Sequence, residues 1–386
     1  AERDATMAYL DAMCAQVGGR RGEAATPTPT GGLTWATSRH ATTRAGDPQV
    51  HDHVLVANVV WMRDERSGWK GLDTAFVRDQ LHAATAIGRV AAARRAVELG
   101  YGIEADEGPS GRLDGWQIAG FDPEVLAVHS KRTAEIDAAV GAGASFRARN
   151  AAAREHREPK THEPVADLVR RWRAELTAAG HPPASLLAEV EEAGRTRRPV
   201  LGRLEDTDLA EILDVLLQGD SRLARDKVFD RADVIVVAAP FCHGLPVSEL
   251  LRLVDAVIAD RRCVPLIGVA GVRTQAYATA AVLAAEDRIA ALAAELTAQP
   301  AARVDQEAAT HAVDAVEEER GVVFNADQRR VAETLLTSET GLDLVVGVAG
   351  SGKTTALAAV RAGFEAGGFA VYGTATSGQA ALGLGS

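Results

Sequence analysis

An α/β protein is what this 386-residue sequence predicts, and three observations carry that expectation. Leu33–His40 and Val50–Trp61 are apolar, β-branched runs separated by a turn containing Gly46-Asp47-Pro48, the strand–turn–strand pattern of an antiparallel sheet. Residues 123–217 read as nearly continuous helix, broken at Pro159, Pro164 and Pro182-Pro183. From Gly321 the pattern changes to helix, apolar strand, Gly-rich loop, helix and strand, which opens a nucleotide-binding α/β domain.

Composition narrows the class. Hydrophobic residues make up 47% and charged residues 25%, ordinary for a globular chain. No apolar run approaches the ~18 charge-free residues of a membrane span. Cys14, Cys242 and Cys263 are too far apart for a Cys-x-x-Cys pair, so a reducing, cytoplasmic compartment is expected. The chain opens at Ala1-Glu2-Arg3-Asp4 without a Met or a signal pattern, so it reads either as a processed chain or as an internal piece of something longer. The net charge of −11 counts against nucleic acid as a partner. Residues 1–160, however, hold 20 basic against 21 acidic side chains, and the remainder 22 against 32. The acidity therefore belongs to the second part, and the first stays open to DNA.

The elements follow in order. Asp4–Gln16 is expected to be helical, with Ala8, Leu10, Ala12 and Met13 buried. The two strands come next, then a helix over Asp79–Leu99 with its apolar residues at helical spacing and Gly100 as the terminating glycine. A second hairpin is expected over Gly102–Ile118. Beyond the helical stretch lie helices at Ser248–Asp260 and Thr274–Ala298, then a solvated helix within 301–320. Helix Ala326–Ser338, strand Leu342–Val348, helix Thr354–Ala366 and strand Ala370–Thr374 complete the pattern.

Two motifs carry chemistry. Gly347-Val348-Ala349-Gly350-Ser351-Gly352-Lys353-Thr354 fits G-x-x-x-x-G-K-[ST]. Its glycines let backbone N–H groups converge on phosphate oxygens, and the following helix adds its positive end. Lys353 would reach the outer phosphates of ATP, Thr354 would ligate Mg²⁺, and Thr355 completes the set. Upstream, Gln328 opens a helix just before the strand, and its amide can both donate to and accept from an adenine edge. Downstream, Gly373 to Ala381 ends a strand and opens a helix.

The second motif is a histidine cluster. His51 and His53 share one face of a strand, and a hairpin brings His40 opposite them. Three neutral imidazoles with open positions suit a divalent metal, Zn²⁺, Mn²⁺ or Mg²⁺. Asp52 is expected on the opposite face, and Asn58 further along could orient a phosphate. The basic stretch Arg147–Lys160 reads first as a solvated helix face and second as a phosphate contact. Trp35, Trp61 and Trp69 read first as core and second as base-stacking platforms. Tyr9 reads as a packed helix aromatic.

Together these segments resemble a known family. Thr37-Ser38-Arg39-His40 and Arg44 through Asn58, with the His-x(10)-His-x-His spacing, resemble the metal-binding core of MobF-type (TrwC/TraI-like) conjugative relaxases. Trp69-Lys70-Gly71-Leu72-Asp73 and Phe121 to Ser130-Lys131-Arg132 look like further landmarks of that family. Val264–Ala298 and Gly341–Leu382 resemble the RecD-like superfamily 1 helicase that such relaxases carry on the same chain. The resemblance implies a relaxase palm whose antiparallel sheet carries the three histidines (1–140), a helical linker (141–220), a helical helicase region (221–320) and the start of a RecA-like domain (321–386). It implies metal-assisted, strand-specific DNA nicking by tyrosine transesterification at an origin of transfer, coupled to ATP-driven unwinding in a bacterial cytoplasm with other conjugation proteins. Single-stranded DNA would meet Arg39, Arg44, Asn58, Lys131, Arg132, Thr376 and Ser377. The family's nucleophilic tyrosines lie well before the histidines, where this sequence has only Tyr9, and no Walker B acid follows the phosphate loop. The chain alone is therefore expected to bind metal rather than turn over. The alternative is a non-catalytic DNA- or nucleotide-binding remnant or scaffold.

Overall fold

The computed structural model describes residues 1–15, 30–43, 45–62, 68–107, 113–141, 143–155, 163–196, 202–218, 221–269, 274–348 and 350–375. The chain divides into two compact units, Ala1–Val282 and Leu283–Ser386.

The first unit opens with α1 (Glu2–Cys14), then a three-stranded antiparallel sheet of β1 (Thr30–Thr42), β2 (Pro48–Met62) and β3 (Trp69–Gly71), in that spatial order. Side chains alternate across a strand. One sheet face, with Leu33, Val54 and Val56, packs on Met7, Leu10 and Cys14 of α1 and on Phe76 of α2 (Thr74–Asp79). The buried stripe of α1 is thus Met7, Leu10 and Cys14, whereas Ala8 and Ala12 face solvent and Met13 is half-buried. The expected helix over Asp79–Leu99 divides at Gln80, so that α3 runs from Leu81 to Glu98. Gln80 is buried there and accepts from the Tyr9 hydroxyl at 2.6 Å.

Helix α3 is buried along two sides. Ala84 joins the α1 core, while Ala83, Ile87 and Val90 join a larger core drawn from residues 204–263. The hairpin of β4 (Ile103–Glu107) and β5 (Leu113–Ile118) follows. Then come helices α4 (Pro123–Val128), α5 (Lys131–Val140), α6 (Phe146–Glu155), α7 (Val165–Ala178), α8 (Pro183–Thr196), α9 (Asp206–Leu217) and α10 (Arg222–Arg225). The last part of the unit contains a second sheet that the sequence reading lacked. Its strands are β6 (Phe229–Asp230), β7 (Cys263–Leu266) and β8 (Ala276–Thr279), in the order β6-β8-β7, joined by α11 (Arg231–Ala238) and α12 (Val247–Ala259). The helix expected from Thr274 therefore begins as a strand. Ala276, Ala278 and Thr279 are buried and Tyr277 stacks on Phe229, and this pairing overrides the local helical pattern. Leu223, Phe229, Ile235, Leu250, Leu253 and Val254 form the centre of the larger core, each nearly or wholly excluded from water.

Helix α13 (Ala280–Thr297) begins at the end of the first unit and buries none of its residues. In the second unit, α14 (Gln306–Arg320), α15 (Ala326–Thr337) and α16 (Lys353–Ala366) pack around Val313, Val316, Phe324, Ala332, Ala356 and Ala359. Helix α14 is therefore not the solvated helix that its acidic end suggested. The expected strands Leu342–Val348 and Ala370–Thr374 make no ladder among the described residues. Leu344 and Val346 are 84% and 98% exposed. Strands of a parallel sheet pair with neighbours supplied from elsewhere in the chain, so the apolar run alone does not form one. Among the described residues, no helix is long and apolar enough to cross a membrane.

Candidate metal centre and phosphate loop

The β1–β2 register sets His40 directly opposite His51, and Ser38 opposite His53. All three imidazoles thus fall on the sheet face turned away from α1. Their ring centroids stand 5.4, 4.6 and 5.0 Å apart, edge to face, and one ring nitrogen from each lies within 4.8 Å of the others. His51 Nδ1 sits 3.0 Å from the Gln49 carbonyl, an acceptor that fixes the tautomer with the proton on Nδ1 and leaves Nε2 as the ligand. The donor set fits a divalent ion of imidazole preference, with positions left open on the solvent side.

Asp52 faces the other way, as its alternation dictates. Arg39 grips it at 2.8 and 3.0 Å, and Arg3 of α1 approaches to 3.5 Å. The hydrogen bond and charge of Arg39 hold the Asp52 carboxyl below the usual carboxylate range. Arg39 is accordingly ion-paired on the face away from the histidines.

A cleft of about 770 Å³ adjoins the histidines. The hairpin lines one side with His40, Thr42, Gln49, His51 and His53; α5 and α7 line the other with Arg132, Ile136, Leu168 and Arg171. Arg132 also bonds Glu135 and the Ala153 carbonyl, at 3.0 and 2.7 Å. Lys131 does not line this cleft. Its ammonium lies 2.8 Å from Glu175 and 3.6 Å from Asp47, in an ion-pair network. Asn58 is exposed. Arg44, Thr376 and Ser377 lie outside the described residues.

The tryptophans are not core. Trp35, Trp61 and Trp69 are 38%, 46% and 55% exposed; Trp35 stands opposite Val56 in the β1–β2 ladder, and Trp61 and Trp69 form an edge-to-face pair. Arg147 is exposed and Arg149 pairs with Asp137, whereas Arg157 and Lys160 lie outside the described residues. Tyr9 is a packed aromatic whose hydroxyl donates to Gln80, and burial raises its pKa.

In the second unit, Gly350 and Gly352 take φ of 80° and 79°, the left-handed region where a side chain is strained. They turn the chain from the extended Leu342–Val348 segment into the N-terminus of α16. Lys353 Nζ donates to the Gly347 and Val348 carbonyls at 2.6 and 2.8 Å, so it lies across the loop. Thr354 is exposed, and Ser351 and Thr355 are half-buried. Gln328 joins the loop from α15. Its backbone and side chain complete a reciprocal cap with Asn325, and its Nε2 donates to the Ser351 carbonyl at 3.0 Å. Sequence reasoning had placed Gln328 near the nucleotide but not against the loop itself.

The chain thus carries an antiparallel hairpin with three convergent imidazoles and, later in the sequence, a phosphate-loop motif at a helix start. The family comparisons agree. Residues 2–179 match the TrwC relaxase family model and residues 323–386 that of an AAA domain, so a relaxase-like segment precedes an AAA-like one on this chain. The chain is 28% identical over 250 residues to the multifunctional conjugation protein TraI of Escherichia coli, covering 61% of this chain and 14% of that protein. It is 32% identical over 160 residues to the TraI of strain K12, covering 39% of this chain and 8% of that protein. The chain therefore spans a small part of the relatives it matches. Among solved structures, the conjugative relaxase TrwC with oriT DNA in a copper-bound form aligns at a TM-score of 0.39 and 25% identity, covering 47% of this chain and 62% of that one. A metal-bound TrwC complex with oriT DNA aligns at 0.38 and 24%, covering 47% and 63%.

Proposed function

We propose that this chain is a working segment of a conjugative relaxase–helicase, in which His40, His51 and His53 hold a divalent metal against the phosphodiester of an origin-of-transfer single strand. The observation that carries this reading is the convergence of three imidazoles on an open sheet face beside a cleft of about 770 Å³. When bound, Mg²⁺, Mn²⁺ or Zn²⁺ would supply Lewis-acid polarisation of a phosphate oxygen for attack by a tyrosine. The chain's own residues do the rest of the positioning. His51 is oriented by the Gln49 carbonyl, Arg132 lines the cleft wall, and exposed Asn58 on β2 is assigned as a further DNA contact, as is Arg44 by its place in the sequence. Exposed Trp61 and Trp69 offer faces on which unpaired bases can stack.

The phosphate loop is assigned to ATP with Mg²⁺. Gly347, Gly350, Ser351 and Gly352 direct N–H groups to the phosphates, Lys353 neutralises them, Thr354 and Thr355 complete the magnesium side, and Gln328 reads the base. Thr376 and Ser377 are assigned to the DNA strand on which the motor would act. The residues divide functionally into a relaxase part (1–140), a helical connection (141–220), a helical lead-in (221–320) and the ATPase opening (321–386), within a cytoplasmic transfer complex containing other conjugation proteins.

Titration of the chain with Co²⁺, followed by its visible absorption, tests the metal assignment. One equivalent should bind, and His51→Ala should lower the affinity by about a hundredfold or more through loss of one of three ligands. Binding that is indifferent to substitution of His40, His51 and His53 would remove the basis of this reading.

A further inference from the structure

We propose that Asp47 is a positioning residue for the three-histidine site: it ties the turn between the two ligand-bearing strands to the helices that form the opposite wall of the cleft. The inference rests on the metal reading above and concerns how that site is held in shape.

The turn does not need the Asp47 side chain for its own conformation. Thr43 N–H donates to the Asp47 carbonyl at 3.0 Å, Gly46 N–H to the Thr43 carbonyl at 3.2 Å, and Asp47 N–H to the Thr43 hydroxyl at 3.1 Å. The carboxylate is nonetheless almost wholly buried, 1% exposed, and a charge in that position is costly unless it is partnered. Its partners lie 84 residues away. Oδ2 accepts from the backbone N–H of Lys131 at 3.0 Å, and Oδ1 lies 3.6 Å from the Lys131 ammonium. Lys131 is the first residue of α5, whose own N-cap, Ser130, makes no side-chain capping bond. Asp47 therefore caps α5 from outside, placing a negative charge at the positive end of the helix.

The next residues of that helix, Arg132, Thr133 and Ile136, line the cleft facing the histidines. A second tie comes from α7. The Trp172 indole donates to the Gly46 carbonyl at 2.7 Å and Arg171 to the same oxygen at 3.1 Å. Glu175, also on α7, receives the Lys131 ammonium at 2.8 Å and stands 3.5 Å from His129 Nδ1. Helix α5 fully buries none of its residues. Polar bonds hold it on two sides, to the hairpin turn through Asp47 and to α6 through Arg132 with the Ala153 carbonyl and Asp137 with Arg149. The turn sits between His40 and His51, so a shift of α5 and a shift in ligand spacing are one motion.

Asp47→Asn in the whole chain tests this, with Co²⁺ as the probe. The amide keeps the shape and loses the charge opposite Lys131. Co²⁺ affinity should fall about tenfold, the range for substitutions that support metal ligands indirectly. The visible bands of bound Co²⁺ should shift, and amide exchange in Lys131–Val140 should accelerate. Asp47→Glu should recover less than full affinity, because the longer arm displaces the helix. Glu175→Gln leaves every hydrogen bond of the turn intact and serves if Asp47→Asn does not fold; it should weaken Co²⁺ binding severalfold in the same direction. Affinity and bands unchanged in folded Asp47→Asn, or in Glu175→Gln if that is the variant measured, would overturn the positioning role. Failure of the unsubstituted chain to bind Co²⁺, or full binding by His51→Ala, would instead overturn the metal reading and the positioning role with it.

Discussion

Truncation of Leu250 should be felt by tryptophans that lie nowhere near it in sequence. The five tryptophans, Trp35, Trp61, Trp69, Trp116 and Trp172, all precede residue 180, so their fluorescence reports only the stretch that matches the TrwC relaxase family model. Leu250 is fully buried in the core that also takes in Ala83, Ile87 and Val90 of α3. Helix α3 in turn contributes Ala84 to the core beneath the histidine hairpin. Leu250→Ala removes the packing of a wholly enclosed side chain and leaves a cavity, at a cost of about 3 kcal/mol within the usual range of roughly 2–5. With a urea dependence of about 3 kcal/mol per molar for a unit of this size, the midpoint should fall by about 1 M. Urea titrations followed by tryptophan fluorescence, with far-UV circular dichroism in parallel, measure it. Val90→Ala should move the same transition in the same direction. If the fluorescence transition stays where it was while the dichroism loses helix earlier, residues 204–263 unfold independently and the shared core is wrong.

Other outcomes follow from particular residues. His243 is largely enclosed, and burial, with the Arg89 charge a smaller contributor, lowers its pKa to about 4. Between pH 4 and the ordinary histidine range the unfolded chain binds the extra proton and the folded chain does not, so stability rises with pH there. After allowance for its partial exposure, about 1–2 kcal/mol should be lost on acidification through that window, and His243→Gln should flatten the pH dependence of the melting temperature. Gly46 has φ of 76°, and a Cβ there would stand 2.5 Å from the Arg171 guanidinium; Gly46→Ala should destabilise the first unit by about 1–2 kcal/mol, and an unchanged urea midpoint would contradict the clamped turn. Lys353→Ala should weaken binding of a fluorescent ATP analogue about ten- to a hundredfold, the loss of a charged hydrogen bond to phosphate; equal affinity in the variant would remove the phosphate-loop assignment.

Much of the candidate site is local in sequence, and that is why it could be read there. Period-2 alternation places His51 and His53 on one face and Asp52 on the other, and a short turn brings His40 across. The phosphate loop is legible for the same reason, being one continuous stretch of eight residues with Gly350 and Gly352 at left-handed positions. Helices were legible where apolar spacing is strong, as in α3, α12 and α16.

What the tertiary structure decided lies in contacts between distant segments. Ala276–Thr279 reads as helix by composition and becomes a strand because Phe229 and Cys263–Leu266 supply its ladder. Lys131 reads as a DNA contact but is drawn to Asp47 and Glu175, which only the fold places beside it. Arg39 is taken by Asp52. The tryptophans read as core because large aromatics usually are, yet Trp35, Trp61 and Trp69 are 38%, 46% and 55% exposed. Asp47 itself looked like ordinary turn punctuation in Gly-Asp-Pro, and its role depends on a helix start 84 residues away. Alternation and motif spacing act within a few residues and are written in the chain. Ion-pair partners, ladder neighbours and the covering of a face are set by which surfaces meet, and those are fixed only when the chain has folded.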